Sequence, residues 1–245
     1  MTTIVLTRPA ADSQRLAGLL ASEGFNTLCL PLMTISPLAC TEDAPVPELA
    51  NIWIFVSANA VRFGLPALAP LLTGRKAPTV IAVGSKTQET LRQYDIESRA
   101  PDRQDSEGVL AMPELEGERV GSVLIVKGEG GRDTLFNELS LRGFSVKEFP
   151  CYRRCWPDVD LSVLSDKTGE WVFQASSGET LSRLTTVLVE DDKQDLLGFP
   201  VVVPSERVAN MASQLGWRRV LRADDASDQS VVRVLHHWSA RGAPS

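Results

Sequence analysis

The sequence predicts an α/β protein, and three observations predict it. Short apolar runs rich in β-branched residues alternate with stretches of helical period. The helices that can be read clearly each follow such a run, the arrangement of parallel sheets covered on both faces. A pattern of strand, helix, Gly-Phe and strand also recurs after about 120 residues.

Taken in order, Ile4 to Leu6 reads as a buried first strand rather than a signal peptide, because the charged Arg8 follows at once. A helix from about Asp12 to Ser22 puts Leu16, Leu19 and Leu20 on one face, starts near Asp12 or Ser13 and stops at Gly24. Thr27 to Leu30, Ile52 to Val56 and Val80 to Val83 are the next strands, and a helix from about Lys86 to Gln93 follows Val83-Gly84-Ser85. Val123 to Val126 is a strand, and a third clear helix runs from Arg132 to Leu141 and ends at Gly143. Trp171 to Phe173 and Val201 to Val203 complete the strands. Ser36 to Pro47 carries three prolines and is a connection; Pro150 to Asp158 is a second crossing segment.

The repeat is specific in its order. Val5-Leu6-Thr7-Arg8 through Gly24-Phe25 matches Leu124-Ile125-Val126-Lys127 through Gly143-Phe144. Phe55 to Ala60 matches Phe173 to Gly178, Ala82 to Thr87 matches Val202 to Arg207, and Asp105-Ser106-Glu107 matches Ala226-Ser227-Asp228. Two related halves result, 1 to about 118 and 119 to 245.

Composition narrows the chemistry. Hydrophobic residues are 43% and charged residues 23% of the 245, a globular balance, and no run approaches the roughly 20 apolar residues of a membrane span. A cytoplasmic protein is expected. The net charge is −6 and the 25 Lys and Arg are dispersed, which disfavours nucleic-acid binding. Cys29, Cys40, Cys151 and Cys155 form no C-x2-C pair, and His236 and His237 are the only histidines, so reduced thiols and no metal site are expected. Acid-base chemistry must then rest on carboxylates, tyrosine, hydroxyls or the substrate's own groups.

Small and hydroxyl residues gather at the strand ends: Ser57-Ala58-Asn59, Gly84-Ser85-Lys86-Thr87, Ser176-Ser177-Gly178 and Pro204-Ser205. Strand carboxyl ends form the crevice of an open α/β sheet, and helix starts offer unpaired amides to an anion. The plain alternative is that each serine only caps its helix. Lys127-Gly128-Glu129-Gly130-Gly131-Arg132 follows a strand and opens a helix, yet it completes neither a nucleotide P-loop nor a dinucleotide fingerprint. It is a turn letting amides approach a ligand, or merely a turn. Tyr152, beside Arg153 and Arg154, is either a proton donor near carboxylate-binding arginines or an amphipathic packing residue.

These segments resemble the uroporphyrinogen-III synthase family: Val5-Leu6-Thr7-Arg8-Pro9, Phe55 to Val61, Ala82 to Thr87, Asp105 to Leu110, Lys127 to Arg132 and Tyr152-Arg153-Arg154, in that order. The resemblance implies two Rossmann-like or flavodoxin-like lobes with parallel sheets, joined by a two-stranded antiparallel linker, with the active site in the cleft. Lobe one would be 1–35 plus 158–245, lobe two 38–150, and the linker strands 36–37 and 151–157. It implies an enzyme that converts hydroxymethylbilane into uroporphyrinogen III, losing water, closing the ring and inverting the last pyrrole through a spiro intermediate, without metal or organic cofactor. Tyr152 and Thr87 would be catalytic; Ser57, Asn59, Ser106, Ser177, Ser227 and Gly128 would bind substrate. Pro204 stands where the family often has glycine, and Gln174-Ala175 where it usually has Thr-Ser. A monomer in transient contact with the preceding pathway enzyme is expected. The alternatives left open are a non-catalytic two-lobed binder of a tetrapyrrole or other anionic metabolite, and a nucleotide-dependent enzyme.

Overall fold

The computed structural model describes residues 2–38, 50–72, 76–116, 121–131, 133–164 and 170–240. In chain order these form β1 (Thr2–Leu6), α1 (Ala10–Ser22), β2 (Asn26–Cys29), β3 (Thr34–Pro37), β4 (Ile52–Phe55), α2 (Ala58–Leu68), β5 (Thr79–Ala82) and α3 (Ser85–Arg92). There follow α4 (Ser106–Leu110), β6 (Ser122–Gly128), α5 (Thr134–Leu141), β7 (Ser145–Cys155), β8 (Glu170–Gln174), α6 (Gly178–Glu190), β9 (Pro200–Val203), α7 (Glu206–Gln214), β10 (Arg219–Arg222) and α8 (Asp228–Ala240).

Two compact units result, unit one from Met1–Thr34 with Cys155–Ser245 and unit two from Ile35–Arg154. Unit one holds a sheet of order β10-β9-β8-β1-β2 in which every neighbouring pair is parallel. Unit two holds the order β3-β7-β6-β4-β5, with β7, β6, β4 and β5 mutually parallel. β3 flanks β7, where the Leu38 N–H donates to the Cys151 carbonyl at 3.0 Å. The two sheets are copies: β2-β1-β8-β9-β10 corresponds to β7-β6-β4-β5 plus a single parallel bridge from Ile81 to Arg99. In each sheet the leading strand-helix-strand comes from the half of the repeat that supplies the other sheet's central strands, as the pairing of β1 with β8 shows.

Both faces of each sheet are covered by apolar clusters, so central strands read as unbroken runs such as Ile52–Phe55 rather than as alternation. The Gly-Phe stops work identically in the two copies. Gly24 (φ 84°) and Gly143 (φ 87°) take the left-handed conformation. Phe25 N–H then donates to Leu20 O and Phe144 N–H to Leu139 O, satisfying carbonyls the helix leaves open.

Three expectations shift. The first helix starts at Ala10 rather than near Asp12, because Pro9 (φ −49°) opens it and Ser13 turns its hydroxyl inward to Arg8 O at 2.8 Å instead of capping. The third begins at Thr134; Arg132, like Cys40 and most of the proline-rich connection, lies outside the described residues. The crossing segment after Pro150 is strand as far as Cys155, part of an 11-residue β7. A proline inside a central-looking strand argues against that assignment, and here a bulge admits it. Pro150 faces Lys127 and Tyr152 faces Gly128, so Cys151 is the extra residue.

Candidate functional site

In unit two the strand ends build one cavity of about 270 Å³. Its lining includes Val56, Val83, Ser106, Lys127, Gly128, Glu148, Tyr152 and Arg154. The bulge at Cys151 decides what stands there. It sets Tyr152 opposite Gly128, and a β-carbon on Gly128 would fall 2.6 Å from two ring carbons of Tyr152, so no other residue fits without moving the phenol. The Glu129 N–H donates to Tyr152 O at 2.7 Å, and the Phe63 ring lies 6.0 Å away, centroid to centroid. Tyr152 is 4% exposed and its hydroxyl lies 3.1 Å from Ser57 Oγ.

Ser57 itself caps α2. It is extended (φ −161°) and its Oγ accepts the Ala60 N–H at 3.1 Å. Asn59, in the first turn of α2, accepts from the Arg62 guanidinium at 3.4 Å. Gly84 precedes α3, whose Ser85 donates both N–H and hydroxyl to Gln104 Oε1. Thr87 follows in the first turn, 5% exposed and outside the cavity lining. Ser106 opens α4, which Asp105 caps by accepting the Gly108 N–H at 2.8 Å; that bond and Arg103 hold the Asp105 carboxyl below the usual range. Lys127 sits at the cavity wall, 7% exposed, 2.7 Å from Glu148 and 3.4 Å from Asp133. Burial alone would lower its pKa, but the two carboxylates outweigh that and hold the ammonium above its ordinary value.

Unit one closes the corresponding place. Arg8, the counterpart of Lys127, is 5% exposed and bonded to Gln174 Oε1 (3.2 Å), Asp228 Oδ1 (2.6 Å) and Ala226 O (3.0 Å). Arg15 adds a second guanidinium on Asp228 at 2.7 Å. Burial would raise the Asp228 pKa, but Arg15 and Arg8 hold it below the usual range. Ser177 caps α6 by accepting the Thr180 N–H at 3.2 Å, and Ser227 accepts the Ser230 N–H at 3.3 Å at the start of α8.

Of the residues named from sequence, unit two thus brings together Tyr152, Gly128, Ser57 and Ser106, with Asn59 and Thr87 on neighbouring helix starts. Ser177 and Ser227 stand on separate helix starts of unit one. Sequence reasoning missed Glu148 at the cavity and the Arg8–Asp228 pair. The repeat carried a usable signal for the second, since a basic residue follows the first strand of each copy. Among the described residues no group of His, Cys, Asp and Glu could hold a metal ion, and the buried Cys151 thiol donates to the Ala60 and Lys127 carbonyls.

A family model described as uroporphyrinogen-III synthase HemD matches residues 14–233. The uroporphyrinogen-III synthase of Salmonella typhimurium is 30% identical over 251 residues, covering 95% of this chain and 99% of that protein. That of Escherichia coli is 28% identical over 254 residues with the same coverage. Two solved structures share the fold: the Helicobacter pylori uroporphyrinogen-III synthetase (TM-score 0.61, 17% identity, 97% of this chain and 99% of that one), and a mutant uroporphyrinogen III synthase of Thermus thermophilus (TM-score 0.59, 17% identity, 97% and 100%).

Proposed function

The chain belongs to the uroporphyrinogen-III synthase family, and from that premise we propose how its residues divide the reaction. It cyclises hydroxymethylbilane to uroporphyrinogen III with loss of water and inversion of the terminal ring. Relatives named as synthases across 95% of the chain favour this over a non-catalytic binder.

The observation that carries the residue assignment is the Tyr152 phenol, fixed against Gly128 at a cavity large enough for a single pyrrole ring. Departure of the substrate hydroxyl as water needs a proton, and Tyr152 donates it. Thr87 is the second catalytic hydroxyl of this reading. Gly128 and Ser106 border the reacting ring. Asn59, Ser177 and Ser227 mark the helix starts whose amides receive the acetate and propionate groups, which is how a chain of net charge −6 holds a polyanion. Beyond the proton, the work is positioning, since spiro closure requires two ends of a flexible chain to be held together.

Among the described residues no helix is long and apolar enough to cross a membrane. The same reading has the protein act as a cytoplasmic monomer, in passing contact with the enzyme that makes the bilane. The test is to supply fresh hydroxymethylbilane and separate the cyclised isomers. The ring-inverted isomer is expected; the isomer ratio seen without protein would overturn the reading.

A further inference from the structure

We propose that Ser57 is a positioning residue for Tyr152 and not a substrate ligand; this rests on Tyr152 being the proton donor. A serine oxygen has one proton to donate and two lone pairs. One lone pair is taken by the Ala60 N–H at 3.1 Å. What remains faces the Tyr152 hydroxyl at 3.1 Å. Tyr152 is 4% exposed, its ring set against Gly128 and flanked by Phe63, and Ser57 is half-buried beside it.

The direction of that hydrogen bond controls the chemistry. If the phenol donates to Ser57, its proton is tied up. If Ser57 donates to the phenol oxygen, the phenol proton is free to point at the leaving hydroxyl. The productive state is the second. The Tyr152 O–H bond breaks as the proton passes to the hydroxymethyl oxygen. The C–O bond breaks with its electron pair going to the departing water, and the pyrrole nitrogen lone pair fills the carbon to give a cationic azafulvene. The phenolate left behind accepts the Ser57 hydrogen bond, whose oxygen is polarised in turn by the Ala60 N–H. The proton released when the ring closes returns to the phenolate, so the enzyme is regenerated without a co-reactant. Ser57 thereby helps most where negative charge develops, in the transition state, which predicts an effect on kcat and not on KM.

The experiment uses Ser57→Gly, Ser57→Asp, Ser57→Thr, Tyr152→Phe and the Ser57→Gly/Tyr152→Phe double variant, with turnover of hydroxymethylbilane and thermal unfolding measured for each. Glycine is a tolerated cap that removes the hydroxyl; aspartate caps well but can only accept. Ser57→Gly should lose about tenfold in kcat at unchanged KM, the scale of one hydrogen bond to a developing charge. Ser57→Asp, which covers the case of glycine failing to fold, should lose at least as much, and Ser57→Thr should recover most of the turnover. The double variant should be no slower than Tyr152→Phe alone. Raised KM with normal kcat in Ser57→Gly would make Ser57 a substrate ligand, and multiplying losses in the double variant would make it independent of Tyr152; either overturns the proposal alone. Full activity of Tyr152→Phe would overturn the proton-donor reading and this inference with it.

Discussion

In unit one the basic side chain after the first strand, Arg8, is locked by Asp228, Gln174 and the Ala226 carbonyl. In unit two its counterpart, Lys127, borders a cavity, and the acidic counterpart of Asp228, Glu107, lines that cavity while pairing with Arg103 at 3.6 Å. The next residue differs as well: Pro9 in unit one opens a helix, whereas Gly128 in unit two makes room for a phenol. A duplicated fold has thus spent one copy of its crevice on a buried ion pair and kept the other open. The difference lies in a few side chains and one bulged residue, on four strands of corresponding order in each sheet.

Arg8 and Lys127 are equivalent cations whose removal should have unequal effects. Arg8→Met should cost about 3 kcal/mol of stability, because it strips the donor from the buried Gln174 amide oxygen and leaves the half-buried Asp228 carboxylate with Arg15 alone. Lys127→Met should cost about 1 kcal/mol, since its partners Asp133 and Glu148 are 66% and 31% exposed and can turn to water. Urea unfolding followed by tryptophan fluorescence suits the measurement, with Trp156, Trp171, Trp217 and Trp238 in unit one and Trp53 in unit two. Equal losses would mean the two crevices are energetically alike.

Gly128→Ala tests the open crevice. Its methyl cannot coexist with the Tyr152 ring, so turnover should fall about 100-fold, the cost of misplacing a reacting group by an ångström or so. Unchanged turnover would show that the phenol position is immaterial.

Acid separates the units more gently. The Asp228 carboxyl has a lowered pKa when folded, so its contribution is present above the unfolded carboxylate range, near 3.9, and is lost as pH falls through the folded value. The urea midpoint of the wild type should therefore drop more steeply than that of Asp228→Asn on going below about pH 4. Parallel curves would remove Asp228 as an acid-sensitive lock.

Ser177→Ala distinguishes cap from ligand in unit one. A pure cap costs about 1 kcal/mol of stability and leaves KM alone. A several-fold rise in KM would put the serine on the substrate. The smallest effect is expected from exhaustive chelation, which should leave turnover unchanged; activity lost and restored by a metal ion would contradict a mechanism built on hydroxyls and amides.

The capping serines show how far short-range reading goes. Ser57, Ser177 and Ser205 each accept an N–H three residues on, a pattern visible in the sequence as a hydroxyl before a helical run. The Gly-Phe stops and the apolar runs are equally local, and they point to seven strands, the repeat and the bounds of three helices, leaving those of α2, α4, α6, α7 and α8 open. β10 escapes that reading because Arg219–Arg222 is a four-residue strand with an arginine at each end. β7 reads as a crossing in the sequence because Pro150 breaks its pattern.

By itself, then, the sequence determined an α/β chain of two related halves with helix starts gathered at strand ends, since periodicity, caps and glycine conformations act over a few residues. Only the tertiary structure decided that Arg8 meets Asp228, 220 positions away, and that Tyr152 rather than Cys151 faces Gly128. The physical reason is register. Side chains on a strand alternate faces, so one bulged residue exchanges which of two neighbours reaches the cavity. No local preference of Cys151 or Tyr152 encodes that choice; the pairing of β7 with β6 from Ser145 to Tyr152 makes it.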